Sequence, residues 1–179
     1  GWYLPTQNTL RILVVLIEQD GAAGSADWPA HSLPVWVNNS NPNENLFDYN
    51  VPTGTATGLL TRYFQDASSG HFNVIADYLL PDNLTIFHTS GSTVSDAITD
   101  VNLQATTFLS GHGFSSIGDF DKWETASTTT GPGLPKNNIA DGMYDHVMFI
   151  WRTAGANNNS GSAAPYALPL PLLGNNADT

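Results

Sequence analysis

Leu10 to Ile17, LRILVVLI, constrains the fold more than any other stretch of this chain. It is rich in β-branched residues and almost unbroken in apolarity, without the alternation of a strand that keeps one face in water. A strand of that kind is buried on both sides. In an α/β protein this means helices above and below a sheet whose strands run mainly parallel. The run is far shorter than the roughly 20 apolar residues of a membrane-spanning helix. No basic segment precedes it, so it does not read as a signal peptide, and Gly1 reads as a cut or engineered start rather than a native methionine, compatible with a lost leader.

Three further strands and two helices can be placed around it. Leu59, Leu60, Tyr63 and Phe64 fall on one face of a short helix, which Gly70 stops. Phe72 to Leu80 follows at once as a strand, and Pro81-Asp82-Asn83 turns the chain into a short strand, Leu84 to His88, expected as its antiparallel hairpin partner. Thr93 to Leu109 is the best helix, with Val94, Ala97, Ile98, Val101, Ala105, Phe108 and Leu109 at helical spacing and Gly111 ending the run. His146 to Trp151 is a second buried strand. Between these lie Gly21 to Pro52, a long polar loop with a short strand expected at Pro34 to Val37, and Gly113 to Gly142, polar and irregular. The expected architecture is one α/β domain over residues 1–179, a mixed but mainly parallel twisted sheet with flanking helices, and a loop-rich tail over 153–179.

Charge narrows the function classes. Sixteen acidic residues face five Lys and Arg, for a net charge of −11, and only three of the sixteen are Glu. A surface so poor in cations excludes a generic phosphate-binding face, so nucleic acid is not expected as a partner. With many uncharged polar residues, the balance suits an extracellular protein, its acidic surface either simply solvated or carrying Asp clusters that bind Ca²⁺. With no cysteine there are no disulfides, no thiolate metal sites and no cysteine nucleophile.

Motif chemistry is mostly excluded by spacing. A zinc peptidase motif needs two His one helical turn apart with a Glu beside the first. The five His, at 31, 71, 88, 112 and 146, include no two within ten residues, and none precedes a Glu. HExxH is therefore absent, and no tight zinc site and no catalytic residue are expected in this chain, with a site assembled by the fold from distant His as the minor alternative. Gly113-Phe114-Ser115-Ser116-Ile117 lacks the closing Gly of a nucleophile elbow, and Gly111-x-Gly113 lacks the third Gly of a dinucleotide loop. The Asp-rich segment is more informative. Asn137, Asp141, Gly142 and Asp145 fall at the first, fifth, sixth and ninth positions of an EF-hand-like loop, with Asp119 and Asp121 preceding the intervening insertion. Ile139 at the third position and Met148 at the twelfth exclude a true EF-hand. Two readings stand: an Asx turn entering a strand, or a Ca²⁺ site formed by Asn137, Asp141, Asp145, Asp119 and Asp121 with backbone carbonyls. Five scattered Trp, with Trp28 and Trp36 flanking a loop where they can be exposed, leave a non-catalytic extracellular binding or adhesion module, carbohydrate- or Ca²⁺-binding, as the alternative.

Four segments in order carry a family likeness. LRILVVLIEQD, TRYFQDASSGHFNVIADYLLP, the helix Thr93 to Leu109, and SIGDFDKW with NNIADGMYDHVMFIW together resemble the N-terminal half of the secreted zinc metallopeptidases typified by immune inhibitor A. Ser69 stands where that family usually has an aromatic residue, and a loop splits its Asp-rich run. The resemblance implies a zincin-like fold and a secreted bacterial enzyme acting on protein or peptide substrates. It also implies zinc held by an HExxH helix in a C-terminal lobe beyond residue 179. On that reading this chain is truncated, cleaved, or a degenerate relative that kept the scaffold, and no catalytic residue of the family has a matching position here.

Overall fold

The computed structural model describes residues 8–38, 45–82, 85–112, 114–121, 144 and 146–152. Within them the order is β1 (Asn8–Gln19), α1 (Val35–Asn38), α2 (Leu59–Ala67), β2 (Phe72–Leu79), β3 (Phe87–Thr89), α3 (Val94–Gln104) and β4 (Val147–Arg152), with one turn of 3₁₀ helix at Ile117–Asp119. The fold is α/β, built on a mainly parallel open sheet of four strands. No helix among the described residues is long and apolar enough to cross a membrane.

β1 is the centre of the sheet and pairs in parallel with the other three strands. Leu13 to Val15 are matched by both β2 and β4, and Ile17 and Glu18 by both β3 and β4. A strand has two edges, so β4 holds one of them, and β2 and β3 lie end to end along the other. The expected hairpin is thus corrected: β3 is shorter than Leu84 to His88 and pairs in parallel with β1. The chain leaves the sheet after Leu79 and returns in line with β2 one step further along β1. The antiparallel contact comes from elsewhere, as an isolated bridge between Leu79 and Ser110.

Both faces of β1 are covered, as its unbroken apolarity requires. Leu10, Ile12, Val14 and Leu16 pack with Phe72, Val74, Ala76 and Tyr78 of β2, under Leu60 and Phe64 of α2. Leu13, Val15 and Ile17 pack on the other side with Phe87, Phe120 and, from α3, Ala97 and Val101. The α2 face differs from the expected one: Leu59 and Tyr63 are 57% and 63% exposed, and Thr61 takes the buried position. Its hydroxyl donates to the Val74 carbonyl at 2.6 Å and accepts from the Asp48 amide at 2.9 Å, so a polar residue joins helix, strand and loop. Gly58 lets that loop approach, since a Cβ there would sit 2.5 Å from the Asp48 nitrogen. After α2, Ser69 and Gly70 adopt φ of 54° and 82°, and Ser68 accepts from the Phe72 amide, which turns the chain directly into β2.

α3 is shorter than Thr93 to Leu109. Thr93 and Asp96 form a reciprocal capping box at its start. At its end Asp82 accepts from the Thr106 and Thr107 amides at 3.1 and 3.2 Å, which draws those residues out of the helical path. The segment expected as a strand at Pro34 to Val37 is the single helical turn α1, where the Val37 amide closes back on the Pro34 carbonyl at 3.0 Å.

Candidate functional site

The carboxyl end of β1 carries the one charged residue of its buried stretch. Glu18 is 2% exposed and lies in register with His88 of β3 on one edge and Arg152 of β4 on the other. Strand pleating turns all three side chains to the α2 side of the sheet, because Leu16, Ile150 and Ile86 face that way while Ile17, Trp151 and Phe87 face α3. β1 exits into the loop that packs Trp28, Leu33 and Trp36 on the α2 side, whereas β3 exits into α3 on the opposite side. The carboxyl ends of neighbouring strands whose connections diverge in this way are the usual place for a ligand in a parallel sheet.

A buried carboxylate is costly unless it is paired and hydrogen-bonded. Glu18 Oε2 forms an ion pair with the Arg152 Nη2 and accepts from the His31 amide at 2.8 Å, and Oε1 faces His31 Nδ1 at 3.2 Å. Arg152 Nη1 donates to the Trp28 carbonyl at 2.9 Å, and its guanidinium carbon lies 5.8 Å from the centre of the Trp28 ring. The loop is tied to itself as well: Trp28 Nε1 donates to the Ser32 carbonyl, and the Val35 amide to the Asp27 carbonyl, both at 2.9 Å. His31 has a φ of 57°, left-handed backbone that an L-residue adopts at a cost, and this bends the chain so that its amide and ring both meet Glu18. Its ring lies 5.6 Å from that of His88. Gln104 of α3 grips the His88 backbone from the other side, accepting from its amide at 2.8 Å and donating to its carbonyl at 2.6 Å.

Glu18, His31 and His88 thus offer one ligand atom each, all within 4.8 Å of one another. Two imidazoles and a carboxylate suit a borderline divalent metal ion better than Ca²⁺, which prefers oxygen throughout.

A second polar cluster occupies the outer edge of β2. Asp77 is fully buried; Oδ1 accepts from the Tyr78 amide at 2.7 Å and faces His112 Nδ1 at 2.6 Å, and Oδ2 accepts from the Ser110 hydroxyl and from the His112 amide at 3.1 Å. Tyr49 stacks on the His112 ring at 4.4 Å and 6°. The residue types are those of a catalytic triad, but the Ser110 hydroxyl turns to Asp77 and not to the imidazole, which is not the order nucleophile activation needs. The cluster fastens residues 110–112 to the sheet edge.

Of the residues expected to bind Ca²⁺, Asn137, Asp141 and Asp145 lie outside the described residues. Asp119 accepts from the Ser115 and Ser116 amides at 3.1 and 3.4 Å and so closes its own turn. Asp121 is buried, and Phe120 between the two enters the α3-side core beside Phe108 and Phe114. Trp28 and Trp36, on a loop where they can be exposed, are half-buried against the α2-side core, Trp36 with its ring 6.3 Å from Tyr78. The grouping at Glu18 was not foreseen. One sign of it was available, an acidic residue closing an otherwise apolar run; nothing local marks His31 or His88.

No protein-family model, curated protein or solved structure matches this chain significantly.

Proposed function

We propose that this chain is the sheet-bearing lobe of a secreted metallopeptidase-like protein, a scaffold forming one wall of a substrate cleft without holding the hydrolytic zinc. The observation that carries this reading is where the four resembling segments fall. LRILVVLIEQD is β1, TRYFQDASSGHFNVIADYLLP is α2 and β2, the Thr93 helix is α3, and HVMFIW supplies β4. They are far apart in sequence yet pack as one central strand, two of its three neighbours and a helix on each face. A shared scaffold would keep this set together, whereas chance likeness has no reason to select a contiguous core. The carboxyl end of the sheet is where such a lobe would meet substrate or a further lobe. Zinc in the whole protein would come from an HExxH helix supplied by other polypeptide, since the sequence holds no such motif.

The alternative of a carbohydrate-binding module is weakened, because the loop Trp residues that would stack on sugars are used in the core and against Arg152. The test is to follow the reading frame past the Thr179 codon and assay both forms on casein. The expected result is an HExxH segment downstream, hydrolysis by the extended protein that a chelator abolishes, and none by the 179-residue chain. Hydrolysis by the short chain, or a continuing frame without HExxH, overturns the proposal.

A further inference from the structure

We propose that Glu18, His31 and His88 form a binding site for a single borderline divalent metal ion of the Zn²⁺ class, separate from any HExxH centre. The site would fasten the 20–34 loop across the carboxyl ends of β1 and β3.

Three features of the geometry carry this. First, the donors come from three different places, the central strand, its neighbour and the loop, yet their ligand atoms already lie within 4.8 Å of one another. Donors about 2.0–2.1 Å from a tetrahedral zinc stand roughly 3.4 Å apart, so a modest inward movement completes the set. That movement is available to His31, whose side chain is 76% exposed and lies at the end of a loop, while Glu18 and His88 sit on the sheet.

Second, the groups behind the ligands are arranged as metal sites usually arrange them, with outer partners orienting the ligating side chains. Arg152 and the His31 amide occupy Glu18 Oε2, which leaves Oε1 turned to the imidazoles. Gln104 clamps the backbone of His88 on both its amide and its carbonyl. The φ of 57° at His31 is a local backbone cost, retained where it aims an imidazole at a buried carboxylate.

Third, three protein ligands, one of them the exposed His31, would leave a fourth position for solvent, the pattern of a zinc site that binds water or a small anionic ligand. Two nitrogens and one oxygen exclude a Ca²⁺ or Mg²⁺ preference and place Cu²⁺, Zn²⁺, Ni²⁺ and Co²⁺ in the ordinary affinity order. Without metal, the same groups form the His31–Glu18–Arg152 chain of hydrogen bonds described above, so the metal would replace the contact between His31 Nδ1 and Glu18 Oε1.

The test uses the untagged 179-residue chain, stripped with chelator and titrated with Zn²⁺ by calorimetry and with Co²⁺ by visible absorption. One equivalent of each should bind, with Co²⁺ bands in the intensity range of low-coordinate sites and a rise in melting temperature on adding Zn²⁺. His31→Gly suits the left-handed backbone there and keeps the amide that holds Glu18; it should weaken binding at least about tenfold, on the scale of losing metal-site groups. His88→Ala should do the same, and His71→Ala, at the turn before β2, should change nothing. Absence of saturable one-equivalent binding overturns the site, as does binding that His31→Gly leaves unaltered. The site is independent of the lobe reading, since it is judged by metal binding to the short chain and that reading by casein hydrolysis in the extended one.

Discussion

Glu18 and Arg152 stand directly opposite each other on β1 and β4, and their side chains close a buried ion pair at the carboxyl edge of the sheet. Both ions have left water, so their attraction must offset two desolvation costs, helped by the His31 amide on the acid and the Trp28 carbonyl on the base. Such a pair adds little net stability; it lies at one register position of β1 and β4, and through the His31 amide and the Trp28 carbonyl it ties the loop to both strands.

Removing one partner should therefore be far worse than removing both. Arg152→Met leaves the Glu18 carboxylate buried without its counter-ion and should lower stability by about 3–5 kcal/mol. The double variant Glu18→Leu, Arg152→Met should recover most of that loss, as apolar replacements of buried pairs do. Urea denaturation of the three proteins reads this directly, and a double variant no more stable than the single one would show that the pair does not act as a unit.

Asp77 is the anchor of the other polar cluster. Asp77→Ala removes the acceptor of the Ser110 hydroxyl and one of the two acceptors of the His112 amide, which keeps Ser110 Oγ at 3.2 Å, and a loss of about 1.5–3 kcal/mol is expected for hydrogen bonds to a charged group. Ser110→Ala removes one of those bonds and should cost about 1 kcal/mol. Protection of the Gly111 amide, bonded to the Tyr78 carbonyl at 3.1 Å, should fall in hydrogen exchange for Asp77→Ala. Unchanged protection would mean that residues 110–112 are held by their apolar neighbours instead.

Thr93 begins α3 by accepting from the Asp96 amide at 3.1 Å. Thr93→Ala should lower stability by about 1 kcal/mol, whereas Thr93→Ser should lower it by much less because the capping oxygen is retained. Thermal melts of the two variants side by side decide the matter, and equal losses would point to the lost methyl group and not to the cap.

Acid should destabilise the protein in two stages. Burial holds the His146 imidazole below its ordinary 6.5, and its folded form therefore resists a proton that the unfolded chain accepts. The His146 contribution is complete above 6.5 and is lost as the pH falls from there toward the lower folded value. The Thr106 hydroxyl first, with the Thr107 and Thr106 amides, holds Asp82 below 3.8, and the Thr93 hydroxyl first, with the Thr93 amide, does the same for Asp96. Their contributions are complete above 3.8 and are lost as the pH falls through their depressed values. Denaturation midpoints followed against pH for the native chain and for His146→Gln should diverge across the first stage, with the native chain losing more on acidification. Parallel curves would remove His146 from the account.

Much of the sheet was legible because burial on both faces leaves a compositional mark. Leu10 to Ile17 could only be a central strand; HVMFIW was legible as a strand, but the expected full burial is corrected, since Val147 to Trp151 are half-buried on a strand that pairs with β1 alone among the described strands. α3 was legible from Ala97, Val101 and Ala105 at helical spacing, although its end was not, because Asp82, a residue on a distant turn, draws Thr106 and Thr107 away. The α2 face was misjudged at Thr61, whose hydroxyl finds the Val74 carbonyl and the Asp48 amide only after the loop and the strand have closed around it. The direction of β3 was misjudged for a similar reason: a turn next to a strand suggests a hairpin, but β3 pairs in parallel with β1 beyond the point where β2 ends, a partner that no local pattern indicates.

The same division runs through the candidate site. By itself the sequence determined an acidic α/β chain without HExxH, with Glu18 ending its most apolar strand, because composition and local periodicity are properties of neighbouring residues. Only the tertiary structure decided that Glu18 meets His88, Arg152 and His31. Strand register across a parallel sheet and the return of a loop over its carboxyl end are set by the packing of both faces, and that packing joins residues no local pattern relates.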